Sequence, residues 1–173
     1  MKHFSFFNSQ LSTSKGFTLV ELLISISIFA ILIGVITLNL NTAQRNATIS
    51  TTLETLITDL NQQRIKAMVG DTEGRSSLTN YGLHFDNVSY TIFNGTYSVS
   101  DTANFLISLP SVQTISTTFP SSQIIFAKGT GEVSCFVDAT CGSGTNTITI
   151  TDTTNNQQKV ITINRYGALT SIN

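Results

Sequence analysis

The chain has 173 residues, enough for one globular domain with an appendage. Only 11% of them are charged, well under the roughly 25% of average soluble proteins, and Ser, Thr and Asn fill the difference. A formal net charge of −1 argues against general attraction to nucleic acid. The two histidines, His3 and His84, are far apart and two cysteines cannot complete a zinc site alone, so neither a metal centre nor another cofactor is expected.

The first sixteen residues are polar overall and end in Lys15-Gly16. From Phe17 to Leu38 the chain is almost continuously apolar, with Glu21 its only charge. Such a run approaches the ~20 residues that span a bilayer as a helix. It differs from a secretory signal, whose apolar core is ~7–15 residues and is followed by small residues at the cut. Ala43 offers only a poor site of that kind. Lys2 and Lys15 precede the run, which keeps the leader cytoplasmic and exports the C-terminal part. The expected location is a single-pass inner membrane protein with its C-terminal domain outside the cytoplasm.

Glu21 is the informative residue. A carboxylate near the centre of a membrane helix costs about 2.5–3.5 kcal/mol on insertion scales, and less towards the end where Glu21 lies. One reading is a side chain that snorkels to the interface. The other is a carboxylate awaiting a cation. A cut after Gly16 would create an amine at Phe17, at i to i+4 spacing from Glu21 within one helix and able to set register between staggered copies.

Lys15 to Ile24, with Gly16-Phe17-Thr18-Leu19-Val20-Glu21 at its centre, resembles the cleavage and methylation motif of type IV prepilins. That resemblance implies a membrane prepilin peptidase that cuts after Gly16 and methylates Phe17. It implies Glu21 as the docking carboxylate. The partners it implies are other pilins or pseudopilins, the inner-membrane assembly platform and membrane lipid. Loss of Lys2 and Lys15 would leave seven basic residues against ten acidic. Major pilins often carry a proline inside the membrane helix. Phe17 to Val69 has none, and Gly34 is the only helix-weakening residue in the apolar run.

From Asn39 the pattern turns amphipathic. Ile49, Leu53, Leu56, Ile57, Leu60, Ala67 and Met68 recur at spacings of three and four, which predicts that the helix continues to Gly70. Short strands are predicted after it. Tyr81–Phe85 and Val88–Phe93 read as a hairpin with Asp86-Asn87 at its turn, followed by Thr96–Val99. Asp101–Ser122 is less regular, with a short strand over Phe105–Leu109. Gln123–Ala127 and Glu132–Val137 flank the turn Lys128-Gly129-Thr130-Gly131, and Thr147–Thr151 and Lys159–Asn164 flank another turn-rich stretch. The fold class is α+β: a long N-terminal helix, half membrane and half amphipathic, packed on a C-terminal antiparallel sheet domain. The expected division is a cleaved leader over 1–16, an assembly helix over 17–40, its amphipathic continuation over 41–69, and a β-rich pilin domain over 70–173.

Gln123-Ile124-Ile125-Phe126 with its glycine turn, and the closing Ile161-Thr162-Ile163-Asn164-Arg165-Tyr166-Gly167, resemble the GspH/FimT group of H-type pseudopilins and FimT-type minor pilins. No catalytic constellation is visible, so the chain is not read as an enzyme. His84 is read as a surface or hairpin histidine. Cys135 and Cys141 flank a loop that could close as a disulfide outside the cytoplasm, against a reading as two independent thiols. Two roles stand: a filament subunit, and a filament-displayed module that captures DNA or a secreted substrate. A membrane-anchored β-domain that never polymerises is a third. FimT-type proteins are associated with DNA uptake through a basic tail. Lys159 and Arg165 form no cluster, and three cations with Lys128 give a weak phosphate site, so DNA is not expected as a partner.

Overall fold

The computed structural model of the chain describes residues 16–74, 76–136 and 146–173. Two compact units divide between Gln44 and Arg45. One helix, α1, runs Leu19–Val69. In the first unit its described apolar side chains are exposed almost throughout, from Leu19 to Ile36 and at Leu40.

In the second unit the helix buries a stripe. Ile49, Leu53, Leu56, Leu60 and Ala67 are buried and belong to one core cluster. The spacing of four, three, four and seven residues keeps them on one face of a helix. Met68, expected on that stripe, is 45% exposed. The polar face is built from threonines whose hydroxyls bond back one turn: Thr51 to the Ala47 carbonyl, Thr55 to Thr51 and Thr58 to Glu54. Such back-bonding satisfies the hydroxyl without a charge. The helix ends where Gly70 takes φ +69, the Asp71 N–H donating to the Lys66 carbonyl at 3.0 Å, a glycine-terminated cap.

Eight strands follow, in two antiparallel sheets. Strands β1 (Tyr81–Asp86), β2 (Ser89–Asn94), β3 (Phe105–Ser108) and β5 (Gln123–Phe126) form the first, in the order β3-β2-β1-β5. Strands β4 (Gln113–Thr117), β6 (Thr147–Asp152), β7 (Gln158–Ile163) and β8 (Leu169–Ile172) form the second, in the order β4-β6-β7-β8. The first hairpin pairs Asp86 with Ser89, so its two-residue turn is Asn87-Val88, one residue beyond the expected one. Leu83, Phe85, Ile124 and Phe126 from the first sheet meet Ile115, Ile148, Ile150, Ile161 and Ile163 from the second in the same core as the helix stripe.

Two expected strands need correction. Thr96–Val99 is not a strand; bends and turns fill it, held by the Asn104 amide donating to the Ser98 carbonyl at 2.7 Å. Among the described residues of Glu132–Val137, which end at Phe136, only Val133 makes a β-bridge, to Phe126, and a turn follows at Ser134 and Cys135. Gly131 brings the chain in at φ +68, and a Cβ there would come within 2.3 Å of Met68 Cγ. The chain thus passes close to the helix end just before the bridge. Strand β4 lies inside the stretch read as less regular, and β8 follows the last predicted strand.

Two polar groups, Asp152 and Tyr90, are buried with partners. Asp152, 1% exposed, accepts from the Thr154 N–H at 2.8 Å and lies 3.8 Å from the Arg45 guanidinium. The Tyr90 hydroxyl donates to Asp59 at 2.6 Å, joining β2 to the helix. Burial first, then that hydrogen bond and the carboxylate's charge, push the Tyr90 phenol well above its ordinary value of 10.0.

A pH dependence follows. Above pH 10.0 the unfolded chain loses the Tyr90 proton while the folded chain keeps it. Stability from this group is complete below that pH and is lost as pH rises, by up to about 1.4 kcal/mol per pH unit. Tyr90→Phe should flatten this alkaline limb. Denaturant unfolding of detergent-solubilised protein across the alkaline range measures it, and equal slopes for both proteins would show that Tyr90 titrates normally.

Candidate assembly site

The N-terminal segment is built by a helix start placed at one edge of an apolar run. Gly16, Phe17 and Thr18 precede α1 without regular structure, and Phe17 is 79% exposed. The Gly16–Phe17 peptide bond is thus presented in open chain ahead of the helix. Leu22 N–H donates to the Thr18 carbonyl at 3.1 Å, the first turn of the helix.

Thr18 and Glu21 form a reciprocal cap. Glu21 N–H donates to Thr18 Oγ1 at 3.2 Å, and Thr18 N–H donates to Glu21 Oε2 at 3.4 Å. The Thr18 hydroxyl also donates to Glu21 Oε2 at 3.4 Å. A threonine followed three residues later by glutamate satisfies two amides that a helix N-terminus leaves without partners. The negative carboxylate also lies at the positive end of the helix dipole. This pairing is missing from the sequence reading, although the Thr-x-x-Glu spacing was there to find.

Beyond the cap, Ser25 and Ser27 hydroxyls donate to the carbonyls of Glu21 and Leu23, both at 2.8 Å, so neither needs water. Leu19–Ile36 has a mean hydropathy of 2.8 and none of it is buried within the protein. Eighteen residues at 1.5 Å each give about 27 Å, close to a hydrocarbon core of about 30 Å. By length and composition the segment can cross a membrane.

A family model described as the prokaryotic N-terminal methylation motif matches residues 11–37. Over that segment the chain is type IV pilin-like. The α+β layout of this pilin-like chain, an apolar N-terminal helix followed by helix and antiparallel sheets in one core, agrees with that assignment. The motif marks it as a prepilin peptidase substrate and points to a structural protein. No curated protein and no solved structure matches the chain.

The remaining site residues belong to the second unit. Cys135 is exposed, in the turn after Val133, while Cys141 lies outside the described residues. His84 is in β1, stacked on Tyr97 at 4.0 Å between ring centroids, with Nε2 3.5 Å from Asp86. Among the described residues, no group of three or more His, Cys, Asp or Glu could hold a metal ion. Several cations of the pilin-like domain are engaged: Lys66 with Glu73 at 2.6 Å, Arg165 with Glu132 at 3.7 Å, and Lys128 with the Leu78 carbonyl at 3.3 Å.

The cap makes a local prediction. Thr18→Ala should weaken the first turn by about 1 kcal/mol and speed hydrogen exchange at the Glu21 amide about fivefold, while Thr18→Ser keeps it near the wild-type rate. Exchange mass spectrometry on the full-length precursor in micelles reads this. Unchanged exchange in the alanine variant would remove Thr18 from the cap.

Proposed function

We propose that this chain is a minor pilin or pseudopilin, cut after Gly16 by a prepilin peptidase, methylated at Phe17 and assembled into a type IV pilus or type II secretion filament through its N-terminal helix. The observation that carries the reading is an apolar helix, unburied by its own protein, with one carboxylate held at its start behind an open Gly16–Phe17 bond. The resemblance of the last third to the GspH/FimT group supports a minor subunit or pseudopilin over a major pilin. Before assembly the helix anchors the chain in the inner membrane with the β-rich domain outside the cytoplasm. There the Cys135–Cys141 bridge can persist; Cys135 not being a free thiol supports it.

Chemically, the roles follow from charge. In the precursor the Glu21 carboxylate caps its own helix. After cleavage the amine of Phe17 supplies a cation at nearly the same depth, and pairing offsets the cost of holding a carboxylate in hydrocarbon. The same pair made between neighbouring copies favours one stagger and so one register. Residues 1–16 are then the leader, 17–40 the membrane and assembly helix, 41–69 its amphipathic continuation and 70–173 the pilin domain.

Intact mass of membrane-extracted protein tests the processing. The expected species begins at Phe17, one methyl group heavier and, with the bridge closed, two hydrogens lighter than the plain reduced chain. A mature N-terminus near Ala43 would overturn the reading.

Glu21→Ala should still insert and be cut, yet fall at least several-fold in sheared filaments relative to its amount in the membrane. Incorporation at the wild-type level would reduce Glu21 to a helix cap.

A further inference from the structure

The helix stripe of the second unit has one polar member. Gln63 lies between Leu60 and Ala67 on the buried face and is 1% exposed, yet its Oε1 has no hydrogen-bond partner. Leaving a buried acceptor unmade costs about 1–3 kcal/mol, so a polar residue at an apolar position calls for a partner. Gln63 lines a cavity of about 310 Å³ together with Asp59, Lys66, Glu73, Phe93 and Phe105. Lys66 is already bonded to Glu73 at 2.6 Å, so the charge left over is that of Asp59. Its carboxylate accepts from Tyr90 and has further acceptor positions. The volume lies at the bottom of the range for small-molecule sites, about 300–1,000 Å³, and suits one or two inserted side chains.

The cavity opens at an edge strand. Strand β3 has β2 on one side and no strand on the other. Phe105 and Leu106, 65% and 60% exposed, face outward without the lysine or proline that usually protects such an edge. The matching feature lies at the opposite edge of the same sheet. Val133 bridges to Phe126 of β5, and its N–H donates to the Arg165 carbonyl at 2.9 Å. The turn carrying Arg165 and Tyr166 therefore projects beyond β5, with these side chains 68% and 62% exposed. It is preformed: Asn164 Oδ1 accepts from the Tyr166 and Ala168 N–H groups, both at 3.0 Å. Gly167 has φ +73, and a Cβ there would come within 2.8 Å of Phe126. Among the described residues, the Arg165 side chain pairs with Glu132 at 3.7 Å.

We propose that the Arg165–Tyr166 turn of a second copy of this chain inserts into the Gln63 cavity at the β3 edge, giving a head-to-tail lateral contact between globular units. The guanidinium meets Asp59, a donor from the turn satisfies Gln63 Oε1, and the Tyr166 ring stacks on Phe105. A rigid turn loses little freedom on docking, which lowers the cost of association. Because the two patches lie on opposite edges, the contact joins unlike surfaces of the two copies. The inference rests on the filament reading for its setting, and adds a domain contact to the helical one.

Cysteine cross-linking in membranes and sheared filaments tests it. Differently tagged full-length chains, one Phe105→Cys and one Tyr166→Cys, are expressed together and apart, and then oxidised. Both positions are exposed, so neither change removes core packing. The expected result is a mixed dimer several-fold above the dimer from either chain alone or from the unsubstituted chain. Adding Arg165→Glu to the Tyr166→Cys chain should lower it several-fold. Equal dimer in single and mixed samples, cross-linking only to a different protein, or no mixed dimer at all would each overturn the contact. Incorporation of the same chains into sheared filaments is scored separately, so a failed contact in normal filaments leaves the filament reading standing.

Discussion

An apolar helical surface that the protein itself leaves bare governs the rest of this molecule. From Leu19 to Ile36 large aliphatic side chains are more than half exposed, and no strand or loop of the described residues covers them. At about 25 cal/mol per Å² of apolar surface, that exposure is unsustainable in water. The segment must find lipid or other helices. Helix association within lipid has no hydrophobic drive of its own, so it depends on packing and on polar contacts. The single carboxylate, Glu21, is the polar group placed to supply one.

The second unit solves a different problem with the same helix type. Its stripe at Ile49, Leu53, Leu56 and Leu60 is matched by inward residues of two sheets, and the surface is kept soluble with hydroxyls and amides in place of charges. Such a surface has weak long-range electrostatics, so contacts with neighbours are decided at short range by shape and by a few local charges. Arg45 beside buried Asp152, and Asp59 beneath Tyr90, show where carboxylates are used: one faces a cation and the other a phenol.

Local signals were legible in the sequence and pairings across long stretches were not. The apolar run, Glu21, the amphipathic stripe and the Gly70 stop depend on residues within a few positions of each other. The first hairpin is off by one residue because Asp86 and Asn87 are both acceptable turn residues, and register is set by pairing. Strand β4 escaped because Gln113–Thr117 contains one apolar residue, Ile115, too little for an alternation. Glu132–Val137 alternates well enough, but a turn at Ser134 and Cys135 follows directly on the Val133 bridge. That β5 pairs with β1 rather than its sequence neighbours could only come from the fold. Of the assembly segment, the Thr18 partner of Glu21 was in plain view as a spacing; the Gln63 cavity was not, since a lone glutamine on a stripe gains meaning only when its oxygen lacks a partner.

The reciprocal cap gives Glu21 a physical role on both sides of the proposed cut. In the uncut chain a carboxylate in the first turn is held by Thr18 N–H and Oγ1, which lowers the cost of its depth by satisfying two of its acceptor positions. Both bonds are long, at 3.4 Å, and a hydrogen bond of that length is weak. A charged amine would therefore compete well for the same oxygen. A cut after Gly16 would change no side chain, yet it would introduce an amine able to draw Glu21 from its cap. A precursor and a mature subunit with the same helix thus differ in the partner available to a single carboxylate. Assembly can then be tied to processing without a change of fold, because the competing contact does not exist until the peptide bond is cut.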